Sequence, residues 1–566
     1  MRFLSTIGYK RLDVLVIATI TLVGLVHLPY PFDGDQALFT IGAQKVRNGA
    51  LLYRDFWDLK QPGIYVFYLL AGTLFNFSEV GIHTFELLYM IAFSVVLIIT
   101  LKSYYVNPAI ASLVPLLTVG AYYGASGSKH LTQVEGLVGV PMFLSLWFAL
   151  GYCRPKGRWA LLQLFLSGLT GGLVLLFKFL FLPILMSFWL TVLVYAVVRK
   201  HEQIPSALVR ISVPVASGVL FPLLIFFGYF AWLDTLSLLH YTFFECPARV
   251  MAEVPMSFNQ IGRLVKGLLW FLGGFAPLTT LAFISVWASL NRRLELLTVN
   301  LVLWLVLGFG VILMQRVAWW EYHYLLLFVP LGILATKGLD ILWEQAKKID
   351  PSLLSGRRRI AAVLSVALLF SPIFASIGLK SLVLARDGFA LKKEQQLKYQ
   401  SRVSDSYREA LVEVAFLSEP ESLSGNIYIC GNPVYYFLSG RDQAIALNGW
   451  SLELLLSEQW TQLTRQLTEA LPSYIFVATD YLELVNNRTP ETARFIEANY
   501  RVLRKSDAGI WYVLQEKLRV HLQPQRTLYP LEERPHHVWA GAFTDAVSSN
   551  SNDLLRLPRI NMEVVF

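Results

Sequence analysis

PFDGDQALFTIGAQKVRNGALLYRDFWDLKQP, residues 31 to 62, lies between the apolar run DVLVIATITLVGLVHLPY at 13 to 30 and a second one, GIYVFYLLAGTLFNF, at 63 to 77. It sets Asp33, Asp35, Arg47, Arg54, Asp55, Asp58 and Lys60 beside hydrocarbon-like chain. Ionisable groups so placed are costly unless paired, solvated or used, which marks the stretch as a functional site by default. The run at 13 to 30 follows MRFLSTIGYKR and carries no small-residue cleavage pattern before Asp33, so it reads as a retained first span.

Working outward, the whole chain repeats this alternation. Of its 566 residues 55% are hydrophobic, 14% aromatic and only 15% charged, with a mean hydropathy of +0.52. That is too apolar for a soluble globular protein and too long for a single anchor. The formal charge of +9 lies mostly in short gaps between apolar runs, where basic residues set orientation, so nucleic acid is not an expected partner. Cys153, Cys246 and Cys430 are far apart and show no C-x-x-C spacing, which supports neither a metal knuckle nor a disulfide framework.

Runs long enough to cross a hydrocarbon core of roughly 30 Å occur at 13 to 30, 83 to 101, 109 to 123, 134 to 152, 159 to 177, 180 to 198, 208 to 232, 267 to 288, 294 to 314, 325 to 341 and 360 to 380. With Lys10 and Arg11 on the cytoplasmic side, that side also receives Lys102, the Arg154, Lys156 and Arg158 group, Arg199 and Lys200, Arg292 and Arg293, and the stretch from Lys347 to Arg359. Counting 63 to 77 as a span would reverse this bias, so that run is expected to be a juxtamembrane or re-entrant helix on the outer face. The expected fold is a polytopic α-helical membrane protein of about eleven spans with outer-face juxtamembrane helices and a small C-terminal α/β extracytoplasmic domain.

The domains are accordingly read as 1 to 385, membrane-embedded; 386 to 520, the α/β domain; and 521 to 566, a poorly ordered tail without sustained period. In the second, residues 386 to 417 suggest an amphipathic helical lead-in. Strand-like NIYIC at 426 to 430, helix-like 451 to 470, YIFVA at 474 to 478, and the short runs YRVLR and IWYVLQ follow.

Several polar residues invite a chemical reading. Asp35 opens DQALFTIGAQKV, where Leu38, Ile41 and Val46 would form the apolar side of a helix lying on the membrane surface. Fixed there, its carboxylate would act as a general base toward an acceptor hydroxyl or amine; the bland alternative is a loop turn and helix N-cap formed by Asp33 and Asp35. Lys60, stiffened by Pro62, places a compact cation at headgroup depth, suited to a lipid phosphate or to plain snorkelling. Lys178 in LVLLFKFLFLPILM stands alone in a turn between two spans, where an unpaired ammonium is costly. Glu135 opens a span after SGSKHLTQV. In RVAWWEYHYLL an aromatic belt accounts for the tryptophans, but it does not require Arg316, Glu321, His323 or Tyr324, which could bind a sugar.

Four segments resemble the GT-C superfamily of polytopic glycosyltransferases that use polyprenyl-phosphate sugars, especially bacterial relatives of protein O-mannosyltransferases and of lipid A aminoarabinose transferases. FDGDQALFTIGAQKVRNGALLYRDFWDLKQPG is similar to their acidic motif and following G-x-x-x-Y-x-D and K-P-P elements. GGLVLLFKF, EYHYLLLFVPLGILA and NIYICGNPVYYFLSGR resemble three later segments. The resemblance implies a catalytic carboxylate at Asp35, lipid-phosphate lysines at Lys60 and Lys178, and a cleft motif at His323 and Tyr324. Asp58, Glu135, Arg316 and Glu321 complete the expected substrate-binding set. Gln36 stands where an acid usually follows the catalytic Asp, Gln61 interrupts the K-P-P element, and Phe179-Leu180 replaces Gly-Pro.

The activity so implied is transfer of a hexosyl or pentosyl group from a polyprenyl-phosphate donor to a lipid, glycan or protein acceptor. It would invert the anomeric centre on the extracytoplasmic face of a bacterial inner membrane. Polyprenyl phosphate is a good leaving group, so cations matter more than an acid, and one base suffices where a retaining mechanism would need two close carboxyls. No cofactor and no protein metal site are expected, while a divalent cation assisting the phosphate is compatible with the chemistry. The competing readings are a lipid-linked glycan flippase or other transporter, and an inactive relative that only binds glycan lipid.

Overall fold

The computed structural model describes residues 2 to 154, 159 to 253, 258 to 290, 295 to 316, 319 to 348 and 374 to 517. Lys156, Arg158, Arg292, Arg293, most of the stretch from Lys347 to Arg359, most of the run at 360 to 380 and the tail from 521 lie outside them. The chain separates into two compact units: Met1–Tyr30 with Asp35–Ser381, and Pro31–Gly34 with the described residues from Leu382 on.

The first unit is a polytopic helical membrane protein. Among the described residues, seven helices, or bent or stacked helical stretches, are long and apolar enough to cross a bilayer: Glu79–Tyr104, Val134–Gly151, Ala160–Phe177, Phe179–Arg199, Ile204–Trp232, Leu296–Met314 and Glu321–Lys347. Before them come α1 (Arg2–Leu25), α2 (Gly34–Arg47) and α3 (Pro62–Phe75), and the first of the seven contains α4 (Glu79–Leu101). The 14 residues of α3 are too few to span, in keeping with the short helix expected there.

Two expected spans depart from a single straight rod. Residues 109 to 123 form three short helices, Pro108–Ala111, Val114–Leu117 and Val119–Ala125, because Pro108 and Pro115 lack the amide that a continuous helix needs. The run at 267 to 288 belongs to a bent pair, Gln260–Gly274 and Ala276–Leu290, inclined at 76°. Gly273, Gly274 and Pro277 at the joint explain the break.

Local chemistry punctuates the first helices. The α2 helix closes at Asn48-Gly49, where Gly49 has φ +93°, a conformation open to glycine without a Cβ penalty. Pro62 starts α3 with its fixed φ, and the Ser78 hydroxyl caps α4 by accepting from the Gly81 amide at 3.2 Å. Contrary to the surface-lying helix expected from its pattern, α2 is buried on every side from Gln36 to Ala43. The apolar residues of neighbouring segments, Phe56, Tyr65 and Tyr68 among them, cover the face that was expected to meet solvent.

The second unit is a small α/β body. Its sheet has the order β1 (Ile427–Cys430), β2 (Tyr474–Ala478), β4 (Gly509–Leu514), β3 (Tyr500–Lys505). The β1 and β2 strands are parallel, joined through the helices Val434–Ser439 and Ser457–Ala470, and the two later strands are antiparallel. The amphipathic helical lead-in expected there consists of the helices Lys393–Val403 and Asp405–Val414, the second capped by the Ser404 hydroxyl. Helices Thr479–Arg488 and Pro490–Asn499 were not read from the sequence. Trp511 is fully buried against Phe476 at 4.9 Å, and its indole N–H donates to Glu413 at 3.1 Å.

In the first unit, helices Ala160–Phe177 and Ile204–Trp232 approach backbone to backbone through Gly168 and Gly218; a Cβ at Gly218 would come within 2.7 Å of the Leu169 amide nitrogen. Gly228 in the same helix has nothing within 4 Å. Gly168→Leu is therefore expected to destabilise the protein by at least about 1–3 kcal/mol and lower its thermal midpoint in detergent. Gly228→Leu should leave the midpoint unchanged, and equal effects of the two would rule out the close approach.

Candidate active site

The loop between α2 and α3 is held by its own hydrogen bonds. Tyr53, at φ +73°, donates its amide to Phe56 at 2.7 Å and its hydroxyl to the Lys60 carbonyl at 2.9 Å. Asp55 accepts from the Leu51 amide at 2.8 Å and pairs with exposed Arg54 at 2.8 Å, so these two charges serve the turn. Asp58 is buried; it accepts from the Tyr65 hydroxyl at 2.6 Å and the Leu59 amide at 2.8 Å. Burial pushes its carboxyl above the ordinary range, against the pull of nearby Lys60.

This turn delivers Lys60 to Asp35, with Nζ 3.3 Å from Oδ2. Burial alone would lower the Lys60 ammonium, but Asp35, Tyr322, Asp58 and Glu135 around it hold it well above its usual value. The Tyr322 ring lies 5.8 Å from the Lys60 ammonium. Asp33 is used differently: within the second unit its Oδ1 accepts from the Gly34 amide at 2.7 Å and from Asn432 Nδ2 at 3.1 Å. The N-terminal turn reading thus fits Asp33, and Asp35 is the carboxylate set toward a lysine.

A second pair forms from distant segments. Lys178 interrupts the helix that ends at Phe177 with extended backbone, φ −166°. Its Nζ donates to Glu135 Oε1 at 2.8 Å and to Gln315 Oε1 at 2.5 Å. The unpaired ammonium read from the sequence is corrected: both partners lie more than 40 residues away along the chain, where no local pattern reveals them. Glu135 sits in the one-turn helix Val134–Leu137, and His323 Nε2 approaches its Oε1 at 3.8 Å. Glu135 thus meets both Lys178 and His323, while Asp35 meets Lys60.

The other expected residues face different partners. Arg316 donates to the Met251 carbonyl. Buried Tyr324 donates to the Leu264 carbonyl at 3.3 Å and stacks on Phe271. Glu321 pairs with exposed Lys266 at 3.0 Å, and His130 lies 3.9 Å from it. Burial pushes His130 down to about 3, so it is neutral and its approach to Glu321 is not an ion pair. Gln315 and Tyr65 escape sequence reasoning, and for Gln315 a glutamine closing the span at 314 is the available signal. Among the described residues no group of three or more His, Cys, Asp or Glu is placed to hold a metal ion.

Chemically, the site offers two carboxylate–ammonium pairs, of which the Glu135 carboxylate is the most deeply buried member. Lys178 uses two of its three N–H donors on Glu135 and Gln315, which leaves capacity for an anion. Because the Glu135 side chain is only 2% exposed, Lys178→Met should cost about 3–5 kcal/mol by stranding its charge. Lys178→Met with Glu135→Gln should lose less than Lys178→Met alone. Denaturation in detergent measures this; a double variant weaker than both singles would show that the pair is not one energetic unit.

No protein-family profile and no curated protein matches this sequence. Among solved structures, ArnT from Cupriavidus metallidurans in the apo state aligns with a TM-score of 0.56 at 14% identity, over 92% of this chain and 100% of that one. The same protein bound to undecaprenyl phosphate aligns with a TM-score of 0.53 at 14% identity, over 89% and 98%. At such identity the likeness concerns the fold, and the chain adopts the ArnT-like architecture that the sequence resemblance implied.

Proposed function

We propose that this chain is a membrane glycosyltransferase of the GT-C type that takes a sugar from a polyprenyl-phosphate donor. The observation that carries the reading is the half-buried Asp35–Lys60 pair, 3.3 Å apart, in a fold like that of a protein solved with undecaprenyl phosphate. Lys60 and Lys178 would hold the donor phosphate and stabilise the charge that develops as its bond to the anomeric carbon breaks. Charge-assisted contacts of this kind are short and strong in a poorly hydrated site.

Asp35 would take the proton of the acceptor hydroxyl or amine as that group attacks the anomeric carbon from the face opposite the phosphate, so that the product is inverted. Lys60, with Nζ 3.3 Å from Asp35 Oδ2, would orient the carboxylate. The acceptor, a lipid, glycan or protein, would approach from the extracytoplasmic side of the inner membrane. That sidedness follows from the basic gaps between spans, which then all face the cytoplasm.

Asp35→Asn keeps the shape of the side chain but not its basicity, so sugar transfer by the purified protein should fall by roughly 10²- to 10⁴-fold while undecaprenyl phosphate still binds. Near-normal transfer in that variant would refute Asp35 as the base. Lys60→Ala should weaken undecaprenyl phosphate binding about tenfold or more, the loss of one charge-assisted contact of ~1.5 kcal/mol or more. Unchanged affinity would make Lys60 a partner of Asp35 and nothing more.

A further inference from the structure

We propose that Gln36 is a positioning residue, a buried strut that fixes the Asp35–Lys60 pair against the Glu135–Lys178 pair and so sets the spacing of the two lysines around one phosphate. The proposal rests on the function proposed above for these four residues.

Gln36 follows Asp35 in α2 and is fully buried. Its Nε2 donates to the Leu131 carbonyl at 2.8 Å and to Thr132 Oγ1 at 3.3 Å. The same Oγ1 accepts from the Tyr68 hydroxyl of α3 at 2.7 Å. The Thr132 amide donates to the Tyr122 hydroxyl at 3.0 Å, and that hydroxyl donates to Glu86 in α4. Every member of this chain is at most 4% exposed, where a lost hydrogen bond strands its partner without water to replace it.

Thr132 explains why so many groups converge. It sits at φ +52°, a region that a β-branched residue rarely occupies and that persists only where the surroundings over-determine it. The helix carrying Glu135 starts two residues later. Held by α2 on one side and by α3 and Tyr122 on others, the turn has one position, and Glu135 with Lys178 takes its place from it. The side-chain type at 36 matters, because a carboxylate has no hydrogen to give and would set its oxygens against the Leu131 carbonyl.

The test uses the full-length protein in detergent with undecaprenyl phosphate as probe. Gln36→Glu, or Gln36→Met should the first fail to fold, is expected to bind about tenfold more weakly, whereas Thr132→Ser, which retains the hydroxyl, binds like the parent. In the parent the losses from Lys60→Ala and Lys178→Ala are expected to be non-additive, because both grip one phosphate; in the Gln36 variant they become additive, which a mere loss of stability would not produce. Hydrogen exchange gives an independent reading: amides of residues 131 to 137 should exchange at least about tenfold faster in the Gln36 variant. Unchanged exchange overturns the strut whatever the lysines do. Faster exchange with neither lysine affecting affinity would retain the strut and defeat the phosphate reading.

Discussion

A charge withdrawn from water must find an opposite charge or a full set of hydrogen bonds, and the interior of this protein is arranged around that requirement. Asp35 meets Lys60, Glu135 meets Lys178, and Asp58 is closed off by Tyr65 and the Leu59 amide. Solvation and Coulomb terms of this kind are large in a medium of low dielectric constant, so a buried pair missing one partner is far worse than no pair. On the function proposed here, a donor phosphate would meet cations already held by carboxylates, which would lower the reorganisation needed as charge develops on it.

Interruptions of helix, more than the helices themselves, bring these groups together. Lys178 breaks a run of apolar residues with extended backbone, Thr132 turns the chain at positive φ, and Tyr53 does the same in the loop before Lys60. Each break would be unfavourable in isolation, since it leaves main-chain groups to be satisfied in surroundings without water. The satisfying partners are side chains: Tyr122 for the Thr132 amide, Gln36 for the Leu131 carbonyl, and Asp55 for the Leu51 amide.

The second unit follows the ordinary logic of a soluble α/β body. Helices separate its first three strands and a hairpin ends its sheet, its aromatic core centres on Trp511 and Phe476, and the segment Pro31–Gly34 belongs to it through Phe32 against Phe437 at 5.0 Å and Asp33 against Asn432. Asp33 and Asp35 are two residues apart and have unlike surroundings, which is why spacing alone left open which was a turn residue.

The sequence by itself determined the class of the protein, because runs of apolar residues of bilayer length cannot be hidden in a soluble fold. It also determined the four strands, and it marked Asp35, Lys60, Glu135 and Lys178 as charges in costly places. It could not pair them. Lys178 finds Glu135 and Gln315 across 43 and 137 residues, and sequence periodicity reports only on neighbours within a few turns. The burial of α2 was illegible for the same reason: an amphipathic pattern shows one apolar face, but only packing against α3 and its flanking loop decides that the other face is buried too. Tertiary structure alone separated Arg316 and Tyr324, which bind backbone carbonyls, from His323, which turns to Glu135; for Tyr324 and His323 the reason is that adjacent residues on a tight helix point in different directions.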